Sequence, residues 1–487
     1  MSRGAAIVWF RRDLRLHYHP ALLAAADGHD TVLPLFVLDP VLLRGRFASP
    51  NRTWFLLGAL AALRDSLRAL GSDLVVRVGD PRVVVPDLAA AVRAGDVYVS
   101  RDHSPYGRQR DADVADRLAI DGVAWHPRRG VLILEPEEVL NREGRPFNVF
   151  SPFQRAWDNG GRRTAEARPD RLPPLATLHA SAGHSGTTVE PGPLPSLAEL
   201  DLGDAPTVAV DRLPEPGERA ARGRLDRWLG GGLDTYARTR DRLDLEDGTS
   251  RLSADLHLGL LSPTEVVDRA EAAGSPDDRA MFVRELVWRE FYAHLLFHRP
   301  NARTEALVPA FSSLPWETDE QGFDAWREGR TGYPTVDAAM RQLAGSGWMH
   351  NRARMIAASF LTKHLLIDWR RGEAHFMRHL VDGDVASNNG GWQWSASTGA
   401  DAQPYFRIFN PVLQGRRFDP DGAYIRRWLP ELRAVPTRRI HEPWRLTPTE
   451  QEMAACRIGR DYPAPIVDHA QARGRALAVY EAARRTS

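Results

Sequence analysis

The chain has 487 residues, 43% of them hydrophobic, and a formal net charge of +1; that length and apolar content suit two or three folded domains and exclude a disordered chain. A charge so close to zero gives no argument for nucleic-acid binding by itself, and the arginine excess, with Lys363 the one lysine among 64 basic residues, reads as composition bias. The single cysteine, Cys456, excludes an internal disulfide and a cysteine-rich metal site, so no metal is expected.

In chain order, the start MSRGAAIVWF has no long apolar leader region. Nowhere do about 18 apolar residues run together, so a cytoplasmic protein without membrane contact is expected. Residues 1–135 alternate strand and helix signals: apolar runs at 5–10, 31–38, 73–78, 96–100 and 122–126 are separated by amphipathic stretches, the clearest at 53–70. That pattern predicts a doubly wound α/β domain with a parallel sheet, whose ligands sit at the carboxyl ends of the strands. WFRRDLRL stands where a glycine-rich dinucleotide turn would follow the first strand, so an ordinary dinucleotide site is not expected there. The composition turns to Pro, Gly, Ser and Thr from about 160 to 218, centred on HASAGHSGTTVEPGPLPS, which reads as a surface linker long enough to wrap around a domain. Helical periodicity then dominates, in stretches such as DRAMFVRELVWREFYAHLLF and NRARMIAASFLTKHLLIDW, and predicts an all-α second half. The expected division is 1–135, a connector 136–218, and a helical domain 219–487.

Four segments of the helical half carry unusual chemistry. In RELVWREFY, Glu285, Trp288 and Arg289 share a helix face, which on its own also suits a surface ion pair beside a core tryptophan. In GWMHNRARM, Asn351 and Met355 lie one turn apart beside Arg352; an N-cap and a core methionine are the ordinary alternatives. GTSRLS places Thr249, Ser250 and Ser253 in a turn that suits a phosphate, or simple helix capping. DGDVASNNGGWQWSAST has almost no aliphatic anchor. Asp382 and Asp384, like Trp392 and Trp394, are two apart, which on a helix points each pair to opposite sides. Buried acids there need donors, for which Arg289 and Arg352 are candidates, and the segment suits a large polar cofactor.

WFRRDLRL, GTSRLS, ELVWREFY, GYPTVDAAMRQL, GWMHNRARMI, DGDVASNNGGWQWSASTG and PYFRIFNP, in this order, resemble the photolyase and cryptochrome family over nearly the whole chain. The resemblance implies an α/β antenna domain, a long connector, and a helical domain holding FAD. Tyr236, Thr249, Ser250, Arg251, Leu252, Ser253, Phe282, Arg289, Asp382, Gly383, Asp384 and Asn388 are then the cofactor-binding residues, with Asn388 facing N5 of the flavin. Phe282 replaces a tryptophan of some relatives and keeps a ring at that place.

Members acting on cyclobutane pyrimidine dimers resemble this chain at Asn351 and Met355, whereas members acting on the (6-4) photoproduct carry histidines in that segment; here His350 precedes Asn351. By this resemblance Glu285 hydrogen-bonds the dimer bases, Asn351, Arg352 and Met355 steady the lesion, and Trp288 and Trp394 stack on the flipped thymines. Excited reduced FAD gives the dimer one electron and receives it back, while Trp392, Trp369 and Trp316 match a relay that photoreduces oxidised flavin. Each tryptophan taken alone is more simply core packing. Arg240, Arg407, Gln414 and the arginines of GRRF and IRRW are expected to hold damaged DNA in a local basic groove, bound by a monomer.

SPYGRQRD resembles the segment of members that bind an 8-hydroxy-5-deazaflavin antenna, with Arg52, Asp102 and Gly107 as contacts; methenyltetrahydrofolate, FMN or no antenna are the alternatives. A cryptochrome-like photoreceptor and a (6-4) repair enzyme are the competing functions. The end at YEAARRTS, soon after YPAPIVDH, leaves no room for a photoreceptor tail and favours the dimer-repair enzyme.

Overall fold

The structure, a computed structural model, describes residues 4–162, 168–178 and 187–485. The chain divides into two compact units: Met1–Pro206 with Pro214–Asp234 and Ser250–Pro300, and Thr207–Leu213 with Thr235–Thr249 and Asn301–Ser487.

The first unit contains the expected doubly wound domain. Its strands are β1 (Ala5–Phe10), β2 (Thr31–Leu38), β3 (Val75–Val78), β4 (Ala94–Ser100) and β5 (Ala124–Arg128). They pair in the order β3-β2-β1-β4-β5, parallel throughout. Both faces of the sheet are covered, so β1 is buried at every position. The strand order reverses between β1 and β4, where doubly wound folds bind ligands. The connector wraps this unit where it is described: the carbonyl of Pro191 accepts from Val76 N on the edge strand β3 at 2.7 Å, and that of Pro174 from Val32 N at 3.1 Å. An edge so covered is protected from pairing with another chain. The HASAGHSG part of the connector lies outside the described residues.

The longest helix of this unit, Pro276–His298, has every signal for its ends. Ser275 accepts from Asp278 N, proline opens the first turn beside Asp277 and Asp278, and His298 closes the last turn. Its buried Glu290 accepts from the amides of Ile133 and Leu134 and from Trp157 Nε1. Burial pushes the Glu290 carboxyl up, and those three donors work against that shift.

The second unit is helical, with a core around Trp326, Trp369, Trp392, Tyr424 and Tyr462. The 351–369 stretch is two helices and not one. Asn351–Ser359 runs into a π turn at Phe360–His364, where Leu365 N bonds Phe360 O, and Asp368 caps a new helix, Trp369–His379. The buried Lys363 amine fixes this break, donating to Ala396 O at 3.2 Å and Ser397 Oγ at 2.9 Å. Those two acceptors end the next helix, Val385–Ala396, which carries most of the fourth unusual segment.

Candidate functional site

The expected site residues fall into two sets, one in each unit. In the first unit, Glu285, Trp288 and Arg289 do share one face of the Pro276–His298 helix, each half-buried. The guanidinium of Arg289 donates to the carbonyls of Val131 (3.1 Å) and Leu256 (3.3 Å). Phe282 is buried against Trp228, their ring centroids 5.8 Å apart. In the SRLS turn Arg251 has φ 52, a left-handed conformation that a non-glycine residue adopts at a cost of roughly 1 kcal/mol or more. Leu252 is buried there, and Ser253 opens the short helix Ser253–Leu258 from an exposed position. Asp255 in that helix binds Arg224 through both oxygens, at 2.6 and 2.9 Å.

In the second unit, the helix Asn351–Ser359 is capped by His350 Nδ1, which accepts from Arg352 N at 3.1 Å. Asn351 is therefore not the cap; its amide stands exposed at the first helical position, and Met355, one turn on, is half-buried rather than core. The expected pairing of Arg352 with the acids of the fourth segment is not found. Arg352 binds Asp241 at 2.8 and 3.2 Å and lies over the Phe418 ring. Asp382 is held instead by Arg354, at 2.7 Å. Arg352 and Arg354 are two helical steps apart, so they point to opposite sides and meet different acids.

Asp382 and Asp384 do not take opposite sides of a helix as expected, because neither lies in one. Asp382 is in the preceding turn with Gly383, and Asp384 is the N-cap, its side chain accepting from Ser387 N at 2.8 Å. The two tryptophans do lie in the helix and differ in exposure: Trp392 is 2% exposed and packs edge-on to Phe376 and Trp326, while Trp394 is half-buried. Asn388, on the first turn of the helix, donates from Nδ2 to the carbonyl of Glu373 at 3.2 Å.

Among the buried polar atoms of this unit with no hydrogen-bond partner among the described residues are Thr249 Oγ1, Asp382 Oδ1 and Trp392 Nε1. Buried donors and acceptors are rarely left so, and this mixture of hydroxyl, carboxylate and indole N–H fits a large polar group such as a flavin nucleotide. Tyr236, buried, lies beneath the Arg240 guanidinium at 5.7 Å. Trp369 is 1% exposed and Trp316 half-buried against the same core, so the three expected relay tryptophans run from buried to partly exposed. Gln414 Oε1 is buried and also unpartnered, whereas Arg407 and Arg417 are exposed. Arg416 and Arg427 are ion-paired, with Glu442 and Glu246.

Of the expected antenna residues, Asp102 and Gly107 follow the carboxyl end of β4, and Arg52 lies in the first turn of the helix Pro50–Ala69. A side chain at Gly107 would come within 2.2 Å of the Asp102 carboxyl, so Asp102 and Gly107 are in direct contact. Burial opposes ionisation of Asp102, yet Arg110, Arg12 and Arg11 hold its carboxyl well below the usual range. The Tyr106 hydroxyl donates to Asp39 at 2.5 Å, and burial with that carboxylate pushes the phenol up to about 12. Arg52 donates to the carbonyl of Phe47 from the Pro50–Ala69 helix. Sequence reasoning missed Arg354 and Asp39; the first was signalled by its opposite phase to Arg352, the second only by a contact distant in sequence.

An α/β half followed by an all-α half with these unmatched polar atoms defines a two-part protein built to hold a large polar cofactor. Two family models match, DNA photolyase over residues 6–174 and the FAD binding domain of DNA photolyase over residues 282–482. The deoxyribodipyrimidine photo-lyases of Halobacterium salinarum and Escherichia coli are 42% and 40% identical, each alignment covering 98% of this chain and 99% of the relative. The crystal structure of a bacterial class III photolyase from Agrobacterium tumefaciens matches with a TM-score of 0.91 and 38% identity, over 100% of this chain and 98% of that one. A cryptochrome from Synechocystis sp. matches with a TM-score of 0.88 and 31% identity, over 98% and 99%. The chain belongs to the DNA photolyase family.

Proposed function

We propose that this chain is a carbon–carbon lyase that repairs cyclobutane pyrimidine dimers in DNA with the energy of light. The observation that carries the proposal is the match to deoxyribodipyrimidine photo-lyases at 40–42% identity over 98% of the chain. Asn351 and Met355, in place of the histidines of (6-4) enzymes, support the cyclobutane dimer as the lesion, and neither is taken up by capping or full burial.

The cofactor these residues would hold is FAD, which when bound, reduced and light-excited would supply one electron to the dimer and take it back, with no net redox change. Tyr236, Thr249, Ser250, Arg251, Leu252, Ser253, Phe282, Arg289, Asp382, Gly383 and Asp384 are the residues proposed to hold it. The buried Asp382 brings one negative charge already neutralised by Arg354 and one free oxygen for a flavin N–H. Asn388 adds a dipole without charge beside the flavin edge. Glu285 hydrogen-bonds the dimer, Asn351, Arg352 and Met355 steady it, and Trp288 and Trp394 restore the stacking that a flipped base loses. Trp392, Trp369 and Trp316 carry electrons inward to oxidised flavin. Arg240, Arg407, Gln414 and Arg417 grip the DNA backbone, so binding weakens with salt. An 8-hydroxy-5-deazaflavin beside Arg52, Asp102 and Gly107 is the antenna, and the protein works as a cytoplasmic monomer.

The test is Glu285→Ala. Removing a hydrogen bond to a group that becomes charged lowers repair per photon by about tenfold while FAD stays bound. Unchanged repair, or loss of flavin, would show that Glu285 serves the cofactor or the fold instead.

A further inference from the structure

Trp288 has only one face to offer. Its other face is covered by Phe150, whose ring lies parallel to the indole, with centroids 3.7 Å apart and planes 1° from each other. A centred face-to-face stack is the least favoured aromatic arrangement, so surrounding contacts must hold it. Phe291 and Tyr292 supply them, Tyr292 with its ring centroid 5.5 Å from that of the indole and tilted by 39°. Phe291 stands edge-on to both rings, at 5.7 Å from Phe150 and 5.6 Å from Trp288, each at 78°.

Phe150 is the first residue of the helix Phe150–Asp158 and is 1% exposed. Phe150, Phe153 and Trp157 form one face of that helix. They meet Trp288, Phe291, His294 and Glu290 on the Pro276–His298 helix, through ring contacts and the 2.6 Å bond from Trp157 Nε1 to Glu290. The Arg284 guanidinium lies 5.2 Å from the Phe150 ring centre. An otherwise short helix from the connector region is thus pinned against the element that carries Glu285 and Trp288.

We propose that Phe150 is a positioning residue for lesion recognition: it backs the indole of Trp288, so that a flipped pyrimidine meets one fixed aromatic face instead of a ring free to turn. This rests on the reading of Trp288 as a wall for the flipped dimer. A platform fixed before binding loses less rotamer freedom when the base arrives, which favours the extruded lesion over undamaged DNA.

The experiment measures binding of the flavin-loaded protein to an oligonucleotide with a single thymine dimer and to the same undamaged oligonucleotide. The variants are Phe150→Leu, Phe150→Tyr, Trp288→Ala and Phe150→Leu/Trp288→Ala. Phe150→Leu is expected to weaken dimer binding about three- to tenfold, the worth of an aromatic stack. Undamaged-DNA affinity and flavin content should stay unchanged, Phe150→Tyr should keep the wild-type dimer affinity, and the double variant should bind no worse than Trp288→Ala. If Phe150→Leu loses flavin, Phe150→Met, of similar volume without a ring, takes its place. Equal weakening for damaged and undamaged DNA, or additive losses in the double variant, would overturn the role of Phe150. Unchanged dimer binding in Trp288→Ala would instead overturn the stacking role of Trp288 on which it depends.

Discussion

At the scale of single residues, the pair Arg354–Asp382 joins two segments that the sequence leaves 28 positions apart. Asp382 is 5% exposed, and its charge is compensated by one guanidinium. Removing that partner leaves a buried unpaired carboxylate, which costs about 3–5 kcal/mol. Arg354→Ala is therefore expected to release flavin and lower the melting temperature, and Arg352→Ala, whose partner Asp241 is more exposed, to leave both nearly unchanged. Thermal melting with flavin absorbance checks this; equal effects of the two variants would contradict the assignment. The sequence implies that an acid in this segment needs an arginine, but Arg352 meets Asp241 and Arg354 is the partner of Asp382. Helical phase separates Arg352 from Arg354 without saying which acid each will meet, since that depends on how distant segments pack.

At the scale of elements, the helices Trp369–His379 and Val385–Ala396 approach so closely that Gly372 has no room for a side chain. A Cβ there would lie 2.1 Å from the Trp392 ring and 2.7 Å from Leu361. Gly372→Ala must displace the indole, and overpacking of this kind costs about 1–3 kcal/mol. Because Trp392 belongs to the proposed relay, the variant is expected to slow photoreduction of oxidised flavin severalfold while protein already reduced repairs normally. Transient absorption and a repair assay on the same sample decide it; equal loss in both would mean that the shift reaches the flavin itself. The five strands and the long helices were legible because period-2 runs and period-3.6 faces are local signals. The π turn at Phe360–His364 was not, since it is fixed by a buried Lys363 reaching the end of another helix. Nor was the helix Phe150–Asp158 singled out, its three aromatic positions being too few to stand out as a periodic face.

At the scale of the whole molecule, buried titrating groups oppose one another. Burial, with a neighbouring histidine in each case, pushes His364 and His375 down to about 3. Unfolded, both bind protons below about 6.5, so the stability they contribute is full above that pH and is lost as pH falls toward 3. Asp337 and Asp419 act in the other sense: burial, only partly offset by their hydrogen-bond donors, pushes each up to about 6, so the folded state takes their protons first and gains stability as pH falls from 6 toward 4. Each group changes stability by about 1.4 kcal/mol per pH unit, so these two pairs offset each other over that window, while His294, pushed down to about 4 by burial and by His298, adds an unmatched loss down to about pH 4. Below about pH 4 the histidines continue alone, joined by Asp13 and Asp102, whose carboxyls are held well below the usual range. The melting temperature is therefore expected to decline gently from pH 6.5 to 4.5 and to drop steeply below 4. Calorimetry across that range checks this, and a melting temperature that rises from pH 6.5 to 4.5, or one that falls no faster below pH 4 than above it, would contradict it.

The central claim is that the chain uses light to reverse a pyrimidine dimer. Its most direct test takes the protein with its flavin chemically reduced, adds an oligonucleotide bearing one thymine cyclobutane dimer, and compares blue illumination with darkness. Loss of the dimer in light, none in the dark, and no change in flavin redox state after turnover are the predicted results. An intact dimer after illumination, with reduced flavin demonstrably bound, would contradict the account.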